Sequence, residues 1–203
     1  MADEGSGKES TGRVILVSGL PRSGTSLMMQ MLAAGGTEIV TDGIRRADND
    51  NPKGYYEFEK VKQMRAGTDW LDDCTGKAVK MVSPLLRQLP DDRRYQVIFM
   101  LRDLKEVLAS QNVMLQRLGR QGANLSAADM IEKFDVHLQD VMDWLAARDN
   151  FDVLYIHFKK VVQDPRATAV AVNGFLGTNM DTAAMGTVVE QKLYRQKNGQ
   201  TAD

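Results

Sequence analysis

Val14-Ile-Leu-Val-Ser-Gly-Leu-Pro-Arg-Ser-Gly-Thr-Ser-Leu-Met-Met29 begins with an apolar run, passes through a glycine-bounded loop and ends in a second apolar run. The first four residues predict a buried strand, and a helical run begins at Leu27. Gly19 and Gly24 allow the loop between them to turn sharply and to approach a ligand closely. Backbone amides at the N-terminus of the following helix attract phosphate. The sequence therefore predicts a strand, a phosphate-binding loop and a helix.

The loop departs from the pattern of nucleotide triphosphatases at one position. Its two glycines have the spacing of the Walker A pattern, G-x-x-x-x-G-K-[ST], but Thr25 stands where that pattern has lysine. Kinases place that lysine on the β- and γ-phosphates and the next hydroxyl on magnesium. Here the basic residue is Arg22, three residues earlier. A P-loop small-molecule kinase stays a competing interpretation, and the missing lysine counts against it.

A second motif lies downstream, where the apolar run Tyr95–Leu101 ends in Arg102 and Ser110 follows eight residues later. The run predicts a strand, and the residues from Asp103 predict a helix. A phosphate at this point would meet both a guanidinium and a helix N-terminus. The alternative is that Arg102 and Asp103 belong to an internal ion-pair network.

Together the two motifs resemble those of sulfotransferases that use 3′-phosphoadenosine 5′-phosphosulfate (PAPS). That family's loop has the pattern P-[KR]-S-G-T-[TS], matched by Pro21–Ser26, and its 3′-phosphate site has an arginine and a serine at the separation of Arg102 and Ser110. The resemblance spans about Val14 to Arg195. It implies an α/β, three-layer P-loop nucleotide-binding fold with a mainly parallel central sheet flanked by helices. It also implies PAPS as the co-substrate and no need for a metal.

The resemblance assigns the site residues as well. Arg22 would stabilise the bridging oxygen of the departing nucleotide, Arg102 and Ser110 would bind the 3′-phosphate, and Arg195 in the basic tail would close over the nucleotide. The loop residues expected to bind the 5′-phosphosulfate are Pro21, Arg22, Ser23, Gly24, Thr25 and Ser26.

An acceptor hydroxyl or amine needs a general base. Soluble animal sulfotransferases use a histidine, but neither His137 nor His157 lies where that pattern would place it, and both are expected to be structural. Tyrosylprotein sulfotransferases use a glutamate about twenty residues after the loop arginine, which brings Asp42 to that neighbourhood. Asp42 is the first candidate and Glu57 the second. The alternative is that both only shape a loop through hydrogen bonds.

The polar segment Asp42–Glu57 is long for a connection in a compact domain, and such loops are functional or disordered. Its run N-P-K-G-Y-Y-E resembles a segment of bacterial sulfotransferase-like proteins, so we expect an acceptor-binding loop. A solvated connection is the other interpretation. Lys80, in the predicted strand Ala78–Val82, either reaches the cleft or merely flanks the sheet.

Composition sets the remaining expectations. The 203 residues fit a disordered tail, 1–12, and a single sulfotransferase-like domain, 13–203. A net charge of −1 argues against a nucleic-acid surface. The lone Cys74 suits a reducing cytoplasm and is not expected to be catalytic, and neither a signal peptide nor a membrane-spanning run is evident. We expect a cytoplasmic enzyme acting on a small-molecule or peptidic acceptor, without nucleic-acid or membrane partners. A nucleotide-binding module without transferase activity is a third interpretation, and neither the acceptor nor the oligomeric state follows from the sequence.

Overall fold

The protein is described here by a computed structural model, which covers residues 12–44, 54–120, 122 and 125–189. Its centre is a parallel five-stranded sheet in the order β2-β3-β1-β4-β5. The strands are β1 (Val14–Gly19), β2 (Ile39–Val40), β3 (Ala78–Lys80), β4 (Tyr95–Leu101) and β5 (Phe151–His157). The α-helices are α1 (Thr25–Ala34), α2 (Leu104–Arg117), α3 (Ala127–Ala146), α4 (Phe158–Gln163), α5 (Pro165–Leu176) and α6 (Thr182–Thr187). Three short 3-10 helices span Glu59–Ala66, Asp69–Cys74 and Ser83–Gln88.

Both faces of the sheet are covered, which explains the continuous apolar character of β1. All six of its residues are buried, and the first four alternate between two cores. Ile15 and Val17 pack with α1, α4, α5 and α6 on one face, whereas Val14 and Leu16 pack with α3 and the 3-10 helices on the other. The predicted α/β class, with helices on both sides of a parallel sheet, is confirmed.

Element boundaries differ from the sequence predictions by a few residues. The helix predicted from Leu27 begins at Thr25, because Gly24 is its N-cap. The strand predicted over Ala78–Val82 ends at Lys80, since Ser83 already opens a 3-10 helix. We also expected the strand that leads into Arg102 to be the central one, but it lies beside β1, which occupies the centre.

The sheet order brings the predicted site residues together at the carboxyl ends of the strands. Val17 pairs with Lys80 and Gly19 with Met100, so the carboxyl ends of β3, β1 and β4 lie side by side. The chain passes from β3 to β4 across β1, and open α/β sheets bind ligands at such a switch in strand order. Within the described ranges, no helix combines the length and the apolar character that crossing a bilayer requires.

Candidate active site

A cavity of about 290 Å³ opens at this edge of the sheet. Its walls come from the loop after β1, the first turn of α1, the end of β3, the segment around Glu57, Arg102 and α2. The two motifs found in the sequence therefore border one space.

Two glycines are required by the shape of the loop. Gly24 has φ +103°, and a Cβ there would lie 2.4 Å from Cδ2 of Phe158. Gly19 has φ +143°, and a Cβ there would lie 2.5 Å from the carbonyl oxygen of Met100. These φ values and distances exclude a side chain at either position without movement of the loop or its neighbours.

The first turn of α1 has the features of an anion site. Amides in the first turn of a helix have no intrahelical acceptor and carry the positive end of the helix dipole. Thr25 and Ser26 start α1 and line the cavity. Ser23 differs from them, because its side chain is buried and its amide donates to the Leu20 carbonyl at 3.1 Å. Ser23 thus holds the turn together, and its predicted contact with the nucleotide stays a prediction.

The structure brings the two motifs into direct contact. Nε of Arg22 donates to Oγ of Ser110 at 2.9 Å, and Nη1 of Arg102 donates to the Arg22 carbonyl at 3.1 Å. Arg22 has φ +72°, a left-handed conformation that is uncommon outside glycine. The guanidinium of Arg102 therefore lies on the same side of the sheet as the glycine loop.

Arg102 is held from two directions. Its Nε donates to Oε2 of Glu106 at 3.0 Å, and its guanidinium carbon lies 4.4 Å from the centre of the Phe158 ring. Glu106 is buried, whereas Asp103 caps α2 by accepting from the amides of Lys105 and Glu106. The ion pair considered from the sequence exists, but its acid is Glu106, one helical turn beyond Asp103. Contacts of this kind fix the orientation of the Arg102 guanidinium.

Lys80 belongs to the cavity. Its Nζ lies 3.4 Å from Oγ of Ser26 and donates to the Tyr55 carbonyl. The interpretation that Lys80 only flanks the sheet is therefore wrong. Arg22, Lys80 and Arg102 bring three positive charges to the N-terminus of α1.

The two candidate bases have different surroundings. Asp42 is exposed, and its carboxylate accepts from the amides of Ile44 at 3.0 Å and Glu59 at 2.6 Å. These backbone hydrogen bonds, the one from Glu59 first, lower the pKa of Asp42 and make it a weaker base. Glu57 lines the cavity, has a side chain 19% exposed and accepts from Nζ of Lys62 at 3.1 Å. The geometry favours Glu57 over Asp42, and neither role is tested by it.

The other reactive side chains are tied into the fold. Nε2 of His137 lies 2.9 Å from Oγ of the buried Ser83, and burial lowers the pKa of His137. Cys74 donates to the Trp70 carbonyl, and burial raises the pKa of its thiol to about 11. Both residues lie outside the cavity lining. Arg195 falls outside the described residues. In the part of the chain that the structure covers, no three His, Cys, Asp or Glu side chains are grouped to hold a metal ion.

Sequence reasoning missed Phe158. This residue begins α4, directly after β5, and it contacts both Gly24 and Arg102. Its position just past the carboxyl end of a parallel strand is the signal that would have placed it near the site. Hydrophobicity alone predicts a core residue, which Phe158 also is.

A family model described as "Sulfotransferase family" matches residues 45–182, more than half of the chain. The chain belongs to the sulfotransferase family. The match begins after the glycine loop, so the loop is characterised by its own geometry. No curated protein matches the chain.

Solved structures of sulfotransferases share the fold. The sulfotransferase domain of the Synechococcus PCC 7002 olefin synthase is 15% identical, with 94% of this chain and 90% of that domain covered and a TM-score of 0.53. Retinol dehydratase, in complex with androsterone and the inactive cofactor PAP, is 16% identical, with 89% and 64% covered and a TM-score of 0.52. The chain spans 63% of the length of mouse sulfotransferase SULT7A1. Identities this low show likeness of fold alone.

Proposed function

We propose that this chain transfers a sulfuryl group from PAPS to a hydroxyl or amine of a small-molecule or peptidic acceptor. The observation that carries the proposal is the pair of hydrogen bonds, Arg22 to Ser110 and Arg102 to the Arg22 carbonyl, that join the glycine loop to the strand-end arginine. Two anion sites that border one cavity suit a nucleotide with phosphates at both ends of its ribose. The retinol dehydratase structure, which shares the fold, contains PAP.

The residues present fit such a nucleotide. The first amides of α1, with the hydroxyls of Thr25 and Ser26, would hold the 5′-phosphate. Arg102 and Ser110 would hold the 3′-phosphate, which distinguishes PAPS from ordinary adenine nucleotides. Arg22 and Lys80 supply the positive charge for which kinases use magnesium, so the proposed reaction needs no metal.

In the transfer step the protein positions groups and neutralises charge. Glu57 accepts the proton of the acceptor hydroxyl as its oxygen bonds to sulfur. The bond between sulfur and the bridging oxygen breaks, and its electron pair stays on that oxygen, where Arg22 and Lys80 stabilise the negative charge. Asp42 is the second candidate for the base, and it would first have to give up its bonds to the amides of Ile44 and Glu59.

The proposed cellular location is the cytoplasm. The lone cysteine, Cys74, is free and buried, which suits a reducing compartment.

Calorimetric titration with 3′-phosphoadenosine 5′-phosphate (PAP) tests the nucleotide assignment. We expect PAP to bind in the presence of EDTA, and ATP with Mg²⁺ to bind at least about tenfold more weakly, because no lysine follows Gly24 in the loop. Tight, magnesium-dependent ATP binding would favour a P-loop kinase instead. PAP binding without transfer to any acceptor would favour an inactive nucleotide-binding module.

A further inference from the structure

The cavity has a cationic end and an apolar end. The cationic end consists of Arg22, Lys80 and Arg102. Ser110 contacts Arg22, and Met114 follows Ser110 by four residues on α2. Four residues of an α-helix advance about 6 Å along one face. Met114, which lines the cavity, therefore lies about one turn beyond the contact that marks the cationic end.

Two further segments complete the apolar end. Val82 and Leu85 line the cavity just past Lys80, the last residue of β3. Val61 lines it from the first 3-10 helix, and Phe58 lines it from the position just before that helix. Val82 is 37% exposed, which is unusual for a valine in a well-packed segment. The apolar end is thus defined by Phe58, Val61, Val82, Leu85 and Met114.

Charged acceptors are disfavoured at this end. Among the described lining residues beside it, the charged ones are Glu57 and Lys62, and they pair with each other at 3.1 Å. Lys62 also pairs with Glu59 at 2.6 Å, which helps to hold its ammonium there. A charged acceptor would also have to give up its hydration to lie against the apolar side chains of this end, and burying a charge without a partner is costly.

Acceptors with many hydroxyl groups are disfavoured for a different reason. A sugar placed against valine, leucine, methionine and phenylalanine side chains would lose hydrogen bonds to water at several hydroxyls. Each buried hydroxyl without a partner costs free energy. A site that offers one carboxylate near one reacting oxygen suits a molecule with one hydroxyl.

We propose that the acceptor is a neutral, mainly apolar alcohol or phenol with one or two rings, bound by the apolar end. This inference rests on the proposed sulfotransferase function. Its size limit follows from the cavity volume of about 290 Å³, which the acceptor must share with the sulfuryl group and the 5′-phosphate. An apolar cavity of about 150 Å³ is enough for benzene.

Three acceptors test the class with PAPS as donor: 4-ethylphenol, tyramine, which adds an ammonium group to the same ring and chain, and methyl glucoside, which replaces the ring by a sugar. We expect kcat/KM for 4-ethylphenol to exceed that for each of the other two by about tenfold or more. Comparable values for tyramine or methyl glucoside would overturn the acceptor class.

Two variants tie the preference to the apolar end. Met114→Ala and Val82→Ala should each raise KM for 4-ethylphenol by about fivefold or more, since buried methylenes contribute strongly to such pockets. Their affinity for PAP should stay within about twofold of the unaltered protein. Val170→Ala is the control, because Val170 is 58% exposed on α5 and lies outside the lining. An unchanged KM in both variants, or PAP binding with no transfer to any of the three acceptors, overturns the inference and leaves the nucleotide site standing. Loss of PAP binding in the unaltered protein would remove the proposed function itself.

Discussion

Gly24 illustrates how one residue limits what the loop can do. Its backbone is left-handed and its α-carbon faces the Phe158 ring, whereas Gly36 is also left-handed, at φ +94°, with nothing within 4 Å of the position of a Cβ. The two positions separate the cost of the backbone conformation from the cost of the close contact. Gly24, which the sequence indicated for its backbone conformation, is therefore also required because the Phe158 ring leaves no room for a side chain.

We predict that Gly36→Ala lowers the free energy of unfolding by about 1–2 kcal/mol, the cost of a left-handed conformation with a side chain. Gly24→Ala should lower it further and weaken PAP binding by about tenfold or more, since the loop must move away from Phe158. Urea denaturation and calorimetry measure the two effects. Equal losses of stability in the two variants, with PAP affinity kept, would show that the contact with Phe158 does not shape the loop.

The identity of the base is also decided at single residues. Glu57→Gln should lower kcat for sulfuryl transfer by about a hundredfold with little change in PAP affinity, as expected for the loss of a general base. Asp42→Asn should have a much smaller effect on kcat, because the carboxylate of Asp42 is already bound by two amides. Steady-state kinetics of both variants give the answer. The reverse order of effects would assign the base to Asp42.

Elements carry the site through their periodicity. On α2, Glu106, Ser110 and Met114 follow one another at intervals of four residues and so share a face. Glu106 meets Arg102, Ser110 meets Arg22, and Met114 lines the cavity. Sequence analysis predicted the helix and Ser110, and the four-residue spacing from Arg102 to Glu106 was a visible signal for the ion pair. The alternative considered from the sequence placed Asp103 in an ion-pair network with Arg102, whereas in the structure Asp103 is the N-cap of α2.

The contact between α3 and the 3-10 helix Ser83–Gln88 should depend on pH. Burial holds the pKa of His137 below its ordinary value of 6.5, with Asp140 raising and Arg87 lowering it to smaller extents. The unfolded chain therefore binds a proton at His137 more readily than the folded chain does. The free energy of unfolding is fully retained above pH 6.5 and decreases as the pH falls towards the folded-state pKa.

We therefore predict that the protein unfolds at a lower urea concentration at about pH 5.5 than at about pH 7.5. His137→Gln, which keeps a hydrogen-bonding group near Ser83 but does not titrate, should reduce that difference. His157→Gln, which leaves the contact with Ser83 in place, serves as the control. An unaltered pH dependence in His137→Gln would show that His137 does not couple α3 to this helix.

For the whole molecule, local sequence patterns predicted where the strands are but not which strands lie next to each other in the sheet. The apolar runs identified β1 and β4, and the glycine loop identified the start of α1. The order β2-β3-β1-β4-β5 depends on pairings between distant segments, which no local pattern encodes. That order is what places Lys80 beside Val17 and the loop, so the sequence left the role of Lys80 open. Phe158 was missed for the same reason, since its contacts with Gly24 and Arg102 join residues far apart in the chain.

The central claim is that both anion sites bind one nucleotide. To test it, the proposed 3′-phosphate site is removed by mutation and the binding of two ligands that differ only in that phosphate is compared. PAP and adenosine 5′-phosphate differ only in the 3′-phosphate, which we assign to Arg102 and Ser110. Because Arg102→Ala would remove an ion-pair partner of the buried Glu106, the double variant Arg102→Ala/Glu106→Gln and the single variant Ser110→Ala accompany it. Arg148→Ala is the control. Arg148 precedes β5 and pairs with Asp91, so it lies at the amino ends of the strands, away from the cavity.

Calorimetric dissociation constants for the two ligands should therefore diverge. In the variants that lack Arg102 we expect PAP to bind about tenfold more weakly or worse, the usual effect of losing hydrogen bonds to a charged group, while binding of adenosine 5′-phosphate changes by less than about threefold. Equal losses for PAP and adenosine 5′-phosphate would contradict the assignment of one nucleotide to both sites.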